Sequence, residues 1–219
     1  MPDDPGRLRL AELLVARLSH DLSGLAGVLA GALDLAADEP DPAEALSIAR
    51  DASAELAARL RLLRAAWSGD TGLLCASDLA ALVPGLGSRL RVDLSGLGAA
   101  AYPAGLSRLL PNLLLLGAEA LPRGGTLRLS GTPADGVTLA AEGPRLAWPP
   151  ALATHAASPA SAWAVDSPRD LQPALVVLLA REAGLDLHPG TASLRLSPAG
   201  KVEAPPRTPP KAAPLERTP

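Results

Sequence analysis

The sequence contains few of the large side chains that usually fill cores and stack on rings. Of 219 residues none is Phe, one is Tyr and three are Trp, and Ile48 is the only isoleucine. A core must therefore be built from Leu, Ala and Val. An aromatic platform for stacking nucleic-acid bases is excluded. A chain of small β-sandwich domains is disfavoured, because strands favour Ile, Phe and Tyr.

Cysteine is also rare, and the net charge is small. Cys75 is the only cysteine, so neither an intramolecular disulfide nor a cysteine-based metal site can form. The 20 Lys and Arg nearly balance the 23 Asp and Glu, which argues against a general binder of nucleic acid or anionic membrane. No uninterrupted apolar run approaches the ~20 residues of a membrane span, and the acidic, Pro-rich start is unlike a secretory signal. We therefore expect a cytoplasmic protein that binds neither nucleic acid nor membrane.

The first third of the chain has the periodicity of two long helices. Residues 7–37 and a second segment ending near Trp67 carry apolar side chains at spacings of three and four, separated by a Pro-rich break at 38–42. Two long helices with a short connection predict an antiparallel hairpin over residues 7–67. One hairpin cannot cover both apolar stripes, so either a second copy completes a four-helix bundle, which we favour, or the rest of the chain covers them. The predicted dimer and bundle core consists of Leu18, Leu22, Leu25, Leu29, Leu56, Leu60 and Leu63.

After a turn-like break at 68–72 the pattern becomes α+β. Helices are predicted at 103–121, where Pro111 should kink or split the helix, and at 168–183, both on one face of a small sheet. The stretch 143–167 is predicted to be a loop, and the Pro-rich residues 198–219 a disordered tail. The second domain therefore spans 71–197, with strands predicted at 88–94, 125–130, 136–141 and 192–197.

One histidine has a position suited to chemistry. His188 is predicted in a turn and His155 in the loop, whereas His20 lies inside the first long helix beside Asp21. His20 is about 200° around the helix from Leu18 and should face solvent. It lies opposite the leucine stripe of this helix, which consists of Leu14, Leu18, Leu22, Leu25, Leu29 and Leu33. An exposed imidazole with a pKa near 6.5 keeps a nitrogen free as a nucleophile. Asp21 is placed to orient the ring or to act as a base.

The same helix face carries unusually small residues. Three interior glycines cost about 3 kcal/mol relative to alanine, so we interpret the face as a docking surface where a partner approaches the imidazole. The alternative is an ordinary surface histidine, with glycines that permit close helix packing. A Ser-His-Asp triad is excluded, because adjacent side chains diverge on a helix and no Gly-x-Ser-x-Gly turn occurs. The predicted docking residues are Ala16, Arg17, Ser23, Gly24, Gly27 and Gly31.

Two segments together resemble a known family. Arg17-Leu-Ser-His-Asp-Leu22 resembles the H-box of histidine kinases and histidine phosphotransferases, and 112–126 resembles the N-box helix and following strand of the Bergerat-type ATP-binding domain. The kinase pattern is incomplete. Leu116 stands where a second Asn would hold Mg²⁺, Glu142-Gly143-Pro144 replaces the adenine-reading box, and the second Gly-rich box is missing. Productive ATP binding is therefore not expected.

This combination is most similar to the ChpT-type bacterial histidine phosphotransferases, in which a dimeric hairpin carries a degenerate ATPase-like domain. The resemblance implies that His20 takes a phosphoryl group from the receiver domain of a hybrid kinase. It then passes the group to the receiver aspartate of a response regulator, with Asp21 as its orienting partner. It implies a homodimer with no intrinsic cofactor, the Mg²⁺ belonging to the partner receiver domain. The family's H-box proline is Leu25 here, and Gly24 replaces the Thr or Asn of phosphatase-competent kinases, so little phosphatase activity is expected.

A second hypothesis remains open. The chain could be a non-catalytic dimeric pseudokinase or regulatory protein that binds a kinase or receiver domain without accepting phosphate. Both hypotheses predict a dimer that does not bind ATP. They differ at His20, which only the phosphotransferase requires as an acceptor.

Overall fold

The computed structural model of the chain describes residues 5–68 and 72–200. Most of the predicted break at 68–72 and most of the predicted disordered tail at 198–219 lie outside these residues, although Pro198 is the last residue of a strand. The described chain consists of a helical N-terminal region followed by a five-stranded sheet with helices. This mixed α+β architecture agrees with the fold class expected from the sequence.

The N-terminal region is a pair of long helices. α1 spans Pro5–Asp38 and α2 spans Ala43–Trp67. In the connection, Asp41 accepts a hydrogen bond from the backbone N–H of Ala43 at 3.3 Å, which satisfies one of the free donors at the start of α2. The helices approach each other closely because small residues line their contact, with Ala32, Ala45, Ala49 and Ala52 all buried.

The leucines of the predicted bundle core are not all covered within one chain. Leu63 is buried at 2% exposure, whereas Leu60 is 43% exposed. The other five, Leu18, Leu22, Leu25, Leu29 and Leu56, are partly buried. Further apolar side chains on the two helices are exposed, namely Leu8, Val15, Val28, Leu33, Leu35, Leu46 and Ile48.

From the lack of a long apolar run we expected no membrane-spanning segment. Among the described residues, however, α1 is long and apolar enough on average to cross a membrane, by length and composition alone. The core helix of a soluble protein passes the same test, so this helix by itself does not indicate a membrane span. Here α1 lies along α2 and its first turns are held by the rest of the chain, where Leu10 and Leu13 are buried at 6% and 3% exposure. Other apolar side chains of α1, such as Val28 and Leu33, are exposed in the single chain.

The second region is a sheet with helices packed on one face. The strand order is β1-β2-β3-β5-β4, with β1 parallel to β2 and the other pairs antiparallel. The elements are α3 (Ala76–Leu82), a 3₁₀ turn (Val83–Leu86), β1 (Leu90–Leu97), α4 (Ala104–Ala120), β2 (Gly125–Thr132), β3 (Gly136–Glu142), α5 (Ala151–Ala157), a second 3₁₀ turn (Pro159–Trp163), α6 (Leu171–Glu182), β4 (Leu185–Pro189) and β5 (Ser193–Pro198).

Alternation along the strands sets the inner face of this sheet. Leu127 and Leu129 are buried at 0% and 1% exposure, while Arg128 between them is exposed, as a period of two requires. α4 lies against this face, and a Cβ at Gly117 would come within 2.7 Å of Leu127. α4 runs without interruption through Pro111, so the predicted split of this helix is wrong.

Three expectations for the second region need correction. The predicted loop 143–167 contains α5 and the second 3₁₀ turn, because apolar residues there, including Leu152 and Val165, are buried in the core. His155 is likewise buried, with Nδ1 2.8 Å from the Ser161 hydroxyl. His188 lies in β4 rather than in a turn, since the strand pairs through it with Arg195.

The two regions are joined by a buried polar contact. The Asn112 amide donates to the carbonyl of Ala66 at 2.7 Å and to that of Arg108 at 2.8 Å. Gln172 at the start of α6 donates to Asn112 Oδ1 at 2.9 Å. The end of α2 is thereby tied to α4 and α6.

A second junction depends on a close backbone approach. A Cβ at Gly85 would lie 2.6 Å from the carbonyl oxygen of Ala58 and 2.7 Å from Leu62 Cβ. Because the nearest atom belongs to the backbone of α2, we expect Gly85→Ala to lower the free energy of unfolding by about 1–3 kcal/mol. Chemical denaturation measures this, with Gly31→Ala as the matched control, since a Cβ at Gly31 meets nothing within 4 Å. Equal stability of the two variants would contradict the steric argument.

Candidate functional site

His20 projects from the middle of α1 into solvent. Its side chain is 89% exposed, and its Nδ1 lies 3.4 Å from Asp21 Oδ1. The predicted outward orientation is therefore confirmed. In the tautomer that carries its proton on Nδ1, that proton faces the carboxylate and Nε2 has the free lone pair.

Asp21 is held in place by two arginines. Its Oδ2 accepts a hydrogen bond of 2.6 Å from Arg59 and lies 3.6 Å from Arg17 Nε. Burial alone would raise the pKa of Asp21, but the Arg59 hydrogen bond and charge, with Arg17, hold it below its usual value. Asp21 is therefore an anion at neutral pH. Arg59 also donates to the carbonyl of Gly85 at 3.2 Å, so the carboxylate is anchored to the second region.

Arg17, predicted as a docking residue, is engaged within the chain. Its Nη2 lies 2.6 Å from Glu119 Oε1 in α4, and its Nη1 donates to the carbonyl of Pro168 at 3.4 Å. Burial raises the pKa of Glu119, and the Arg17 charge offsets part of that effect. Sequence reasoning missed Arg59 and Glu119. The available signal was the isolated carboxylate of Glu119 in an otherwise apolar helix segment.

The other predicted docking residues form an open strip around His20. Ala16, Ser23, Gly24, Gly27 and Gly31 are all exposed. A Cβ at any of the three glycines would meet nothing within 4 Å, so no packing within the described chain requires glycine there. The Ser23 hydroxyl donates to the carbonyl of Ser19 at 2.6 Å and stays close to the helix. The strip is therefore bare enough for another protein to approach the imidazole.

Two concavities flank the imidazole. A groove of about 370 Å³ lies between α1, α2 and the 3₁₀ turn at Val83–Leu86. A larger one of about 980 Å³ lies between α1 and the segments 149–150 and 167–170. His20 and Asp21 line both grooves, so the imidazole lies between two concave surfaces.

The segment that resembles a nucleotide-binding helix packs its polar and apolar side chains inside the chain. Asn112 is fully buried, and its amide bonds to Ala66, Arg108 and Gln172. Leu116, at the position of a second Asn in kinases, is also fully buried. Neither side chain is available to a metal or a nucleotide in this arrangement.

Residues 77–189 match the family model described as the histidine phosphotransferase C-terminal domain. The chain belongs to the histidine phosphotransferase family. A similar curated protein is the protein phosphotransferase ChpT of Brucella abortus (strain 2308), which is 27% identical over 194 residues covering 85% of this chain and 92% of that protein. Membership supports a phosphotransferase activity in a phosphorelay.

A solved structure shares the family fold. It is described as a bacterial phosphotransferase and superposes with a TM-score of 0.70 at 24% identity, covering 87% of this chain and 95% of that one. The superposition therefore extends beyond the 77–189 match and covers most of the chain.

Proposed function

We propose that this phosphotransferase carries its phosphoryl group on His20. It accepts the group from the aspartyl phosphate of a hybrid kinase receiver domain and delivers it to the receiver aspartate of a response regulator. The observation that carries the proposal is an 89% exposed imidazole whose Nδ1 side is occupied by a fixed carboxylate. The family membership established above supports the same chemistry.

The transfer needs little covalent chemistry from the chain. The Nε2 lone pair of neutral His20 forms the N–P bond as the P–O bond to the receiver aspartate breaks, and that aspartate leaves as a carboxylate. The imidazole gains positive charge while its Nδ1 keeps its proton. Asp21 stabilises that charge and fixes the plane of the ring, because Arg59 holds its other oxygen at 2.6 Å. The required Mg²⁺ belongs to the receiver domain.

The domain roles follow from this proposal. Residues 7–67 serve dimerisation and phosphotransfer, and residues 71–197 form a degenerate ATPase-like domain without ATP-dependent kinase activity. Support comes from Asn112, whose amide is committed to protein partners, and from buried Leu116. Residues 167–170 of the second domain form one wall of the larger groove, which gives this domain a role in receiver docking.

The decisive experiment offers the purified full chain a phosphorylated receiver domain. We expect a phosphoprotein that is labile in acid and stable in base, as a phosphoramidate is, and onward transfer when a second receiver is added. Incubation with labelled ATP alone should give no label. A chain that binds receivers but takes no label from any of them would be the non-catalytic regulatory protein of the second hypothesis.

The strip of small residues gives a separate prediction. Gly27→Leu should leave the fold intact, because its Cβ faces open space, yet slow transfer by roughly tenfold or more, since a 1 Å misplacement of reacting groups can cost about a hundredfold. Rapid-quench kinetics with a cognate receiver measure the rate. Gly27→Ala is the matched control and should transfer nearly as fast as wild type. Equal rates for leucine and wild type would show that receivers do not dock over Gly27.

A further inference from the structure

Four charged side chains form a continuous series beside the nucleophile. Arg59 lies 2.6 Å from Asp21, Asp21 lies 3.6 Å from Arg17, and Arg17 lies 2.6 Å from Glu119. Two guanidinium groups thus face two carboxylates, and their formal charges cancel. The carboxylate of Asp21, the residue after His20, already accepts a hydrogen bond from Arg59. Arg17 is the one cation of the series in direct contact with Glu119.

Glu119 is a charged residue in a largely buried environment. It projects from α4, most of which is buried, and its own side chain is only 21% exposed. A carboxylate removed from water costs several kcal/mol unless it is paired. The N–O distance of 2.6 Å makes it an ion pair with Arg17. Removing the charge of Glu119 would release Arg17 Nη2, while the guanidinium keeps its contacts with the Pro168 carbonyl at 3.4 Å and with Asp21 at 3.6 Å.

Arg17 has access to the place where the phosphoryl group would form. It lies one helical turn before His20, on a neighbouring part of the same helix surface. Both residues line the 980 Å³ groove. A guanidinium released from its carboxylate can bind a phosphoryl group with two parallel hydrogen bonds, which are among the strongest in proteins. Glu119 and a phosphoryl group on His20 Nε2 would therefore compete for one cation.

We propose that Glu119 is a positioning residue that holds Arg17 back from phosphorylated His20, so that the phosphoryl group remains ready to leave. This inference rests on the proposed function. A relay must both accept and release its phosphoryl group, so the free energies of phosphohistidine and of phosphorylated receiver need to be close. An arginine clamped on the product would favour acceptance and hinder delivery.

The test is the equilibrium of the transfer reaction with Glu119→Gln, a substitution of the same shape without the charge. We expect the ratio of phosphohistidine to phosphorylated receiver to rise about tenfold, equivalent to ~1.4 kcal/mol, and onward transfer to slow correspondingly. The ratio is measured from both directions with radiolabelled receiver. An equilibrium ratio discriminates positioning from a merely structural role, because a partly unfolded sample offers less acceptor and lowers the ratio, whereas the inference expects the ratio to rise.

Two further variants define the pathway of the effect. Arg17→Ala combined with Glu119→Gln should give the ratio of Arg17→Ala alone, because Glu119 acts through Arg17. Glu12→Gln removes an exposed carboxylate of α1 that pairs with Arg9 at 3.2 Å, and it should match wild type. A Glu119→Gln ratio equal to or below that of wild type overturns the inference while leaving the proposed function intact. Failure of wild type to accept phosphate from any receiver would instead remove the proposed function.

Discussion

His20→Gln should lose all receiver-derived phosphate. Glutamine is polar and keeps its amide in solvent, so a substitution at this 89% exposed position should change the stability of the fold by about 0.5 kcal/mol or less. It cannot supply the imidazole nitrogen that forms the N–P bond. Transfer should therefore fall below detection rather than decrease by a factor. Gel autoradiography after mixing with a phosphorylated receiver measures it.

The matched control is His188→Gln. His188 lies on β4, where Nε2 is 3.2 Å from the Ser197 hydroxyl, and it lies outside both grooves beside His20. This control loses a histidine but should retain full labelling. Calorimetric melting and receiver binding of His20→Gln should match wild type, which confines the loss to chemistry. Label that persists in His20→Gln would place the acceptor elsewhere on the chain.

The exposure of His20 could be predicted because it depends on one helix. The leucine spacing fixes which side of α1 faces inward, and His20 lies opposite. The electrostatics around it could not be predicted in the same way. Arg59 reaches Asp21 from 38 residues away, across the hairpin, and Glu119 reaches Arg17 from another helix. Such partners depend on how helices are rotated and packed, which spacing within one helix does not encode.

The fold shows the same division between local and long-range information. Both long helices follow from their periodicity, and the alternation of Leu127 and Leu129 identifies β2. The short β4 has only five residues, too few for a clear period. Leu10 and Leu13 have helical spacing, but nothing in that spacing shows that they insert into the core under the sheet.

Leu33→Asp and Leu60→Asp should each convert a dimer into monomers, if the hairpin is completed by a second copy as we propose. Leu33 is 49% and Leu60 43% exposed in the single chain, so a carboxylate at either site costs the isolated chain little. In a symmetric interface each substitution buries two carboxylates among leucines. Burying an unpaired charge is strongly unfavourable, so we expect association to weaken at least ~100-fold. Sedimentation velocity measures the dissociation.

The matched control for these variants is Leu73→Asp. Leu73 is 72% exposed but lies outside the hairpin, so this variant should remain dimeric. A monomeric wild type, or dimers that survive both hairpin substitutions, would contradict the four-helix bundle.

The position of His20 makes the bundle compatible with the proposed function. Because the imidazole points away from the leucine stripe, dimerisation on that stripe would cover the leucines of α1 and leave His20 and its glycine strip open, as the proposed phosphotransfer requires.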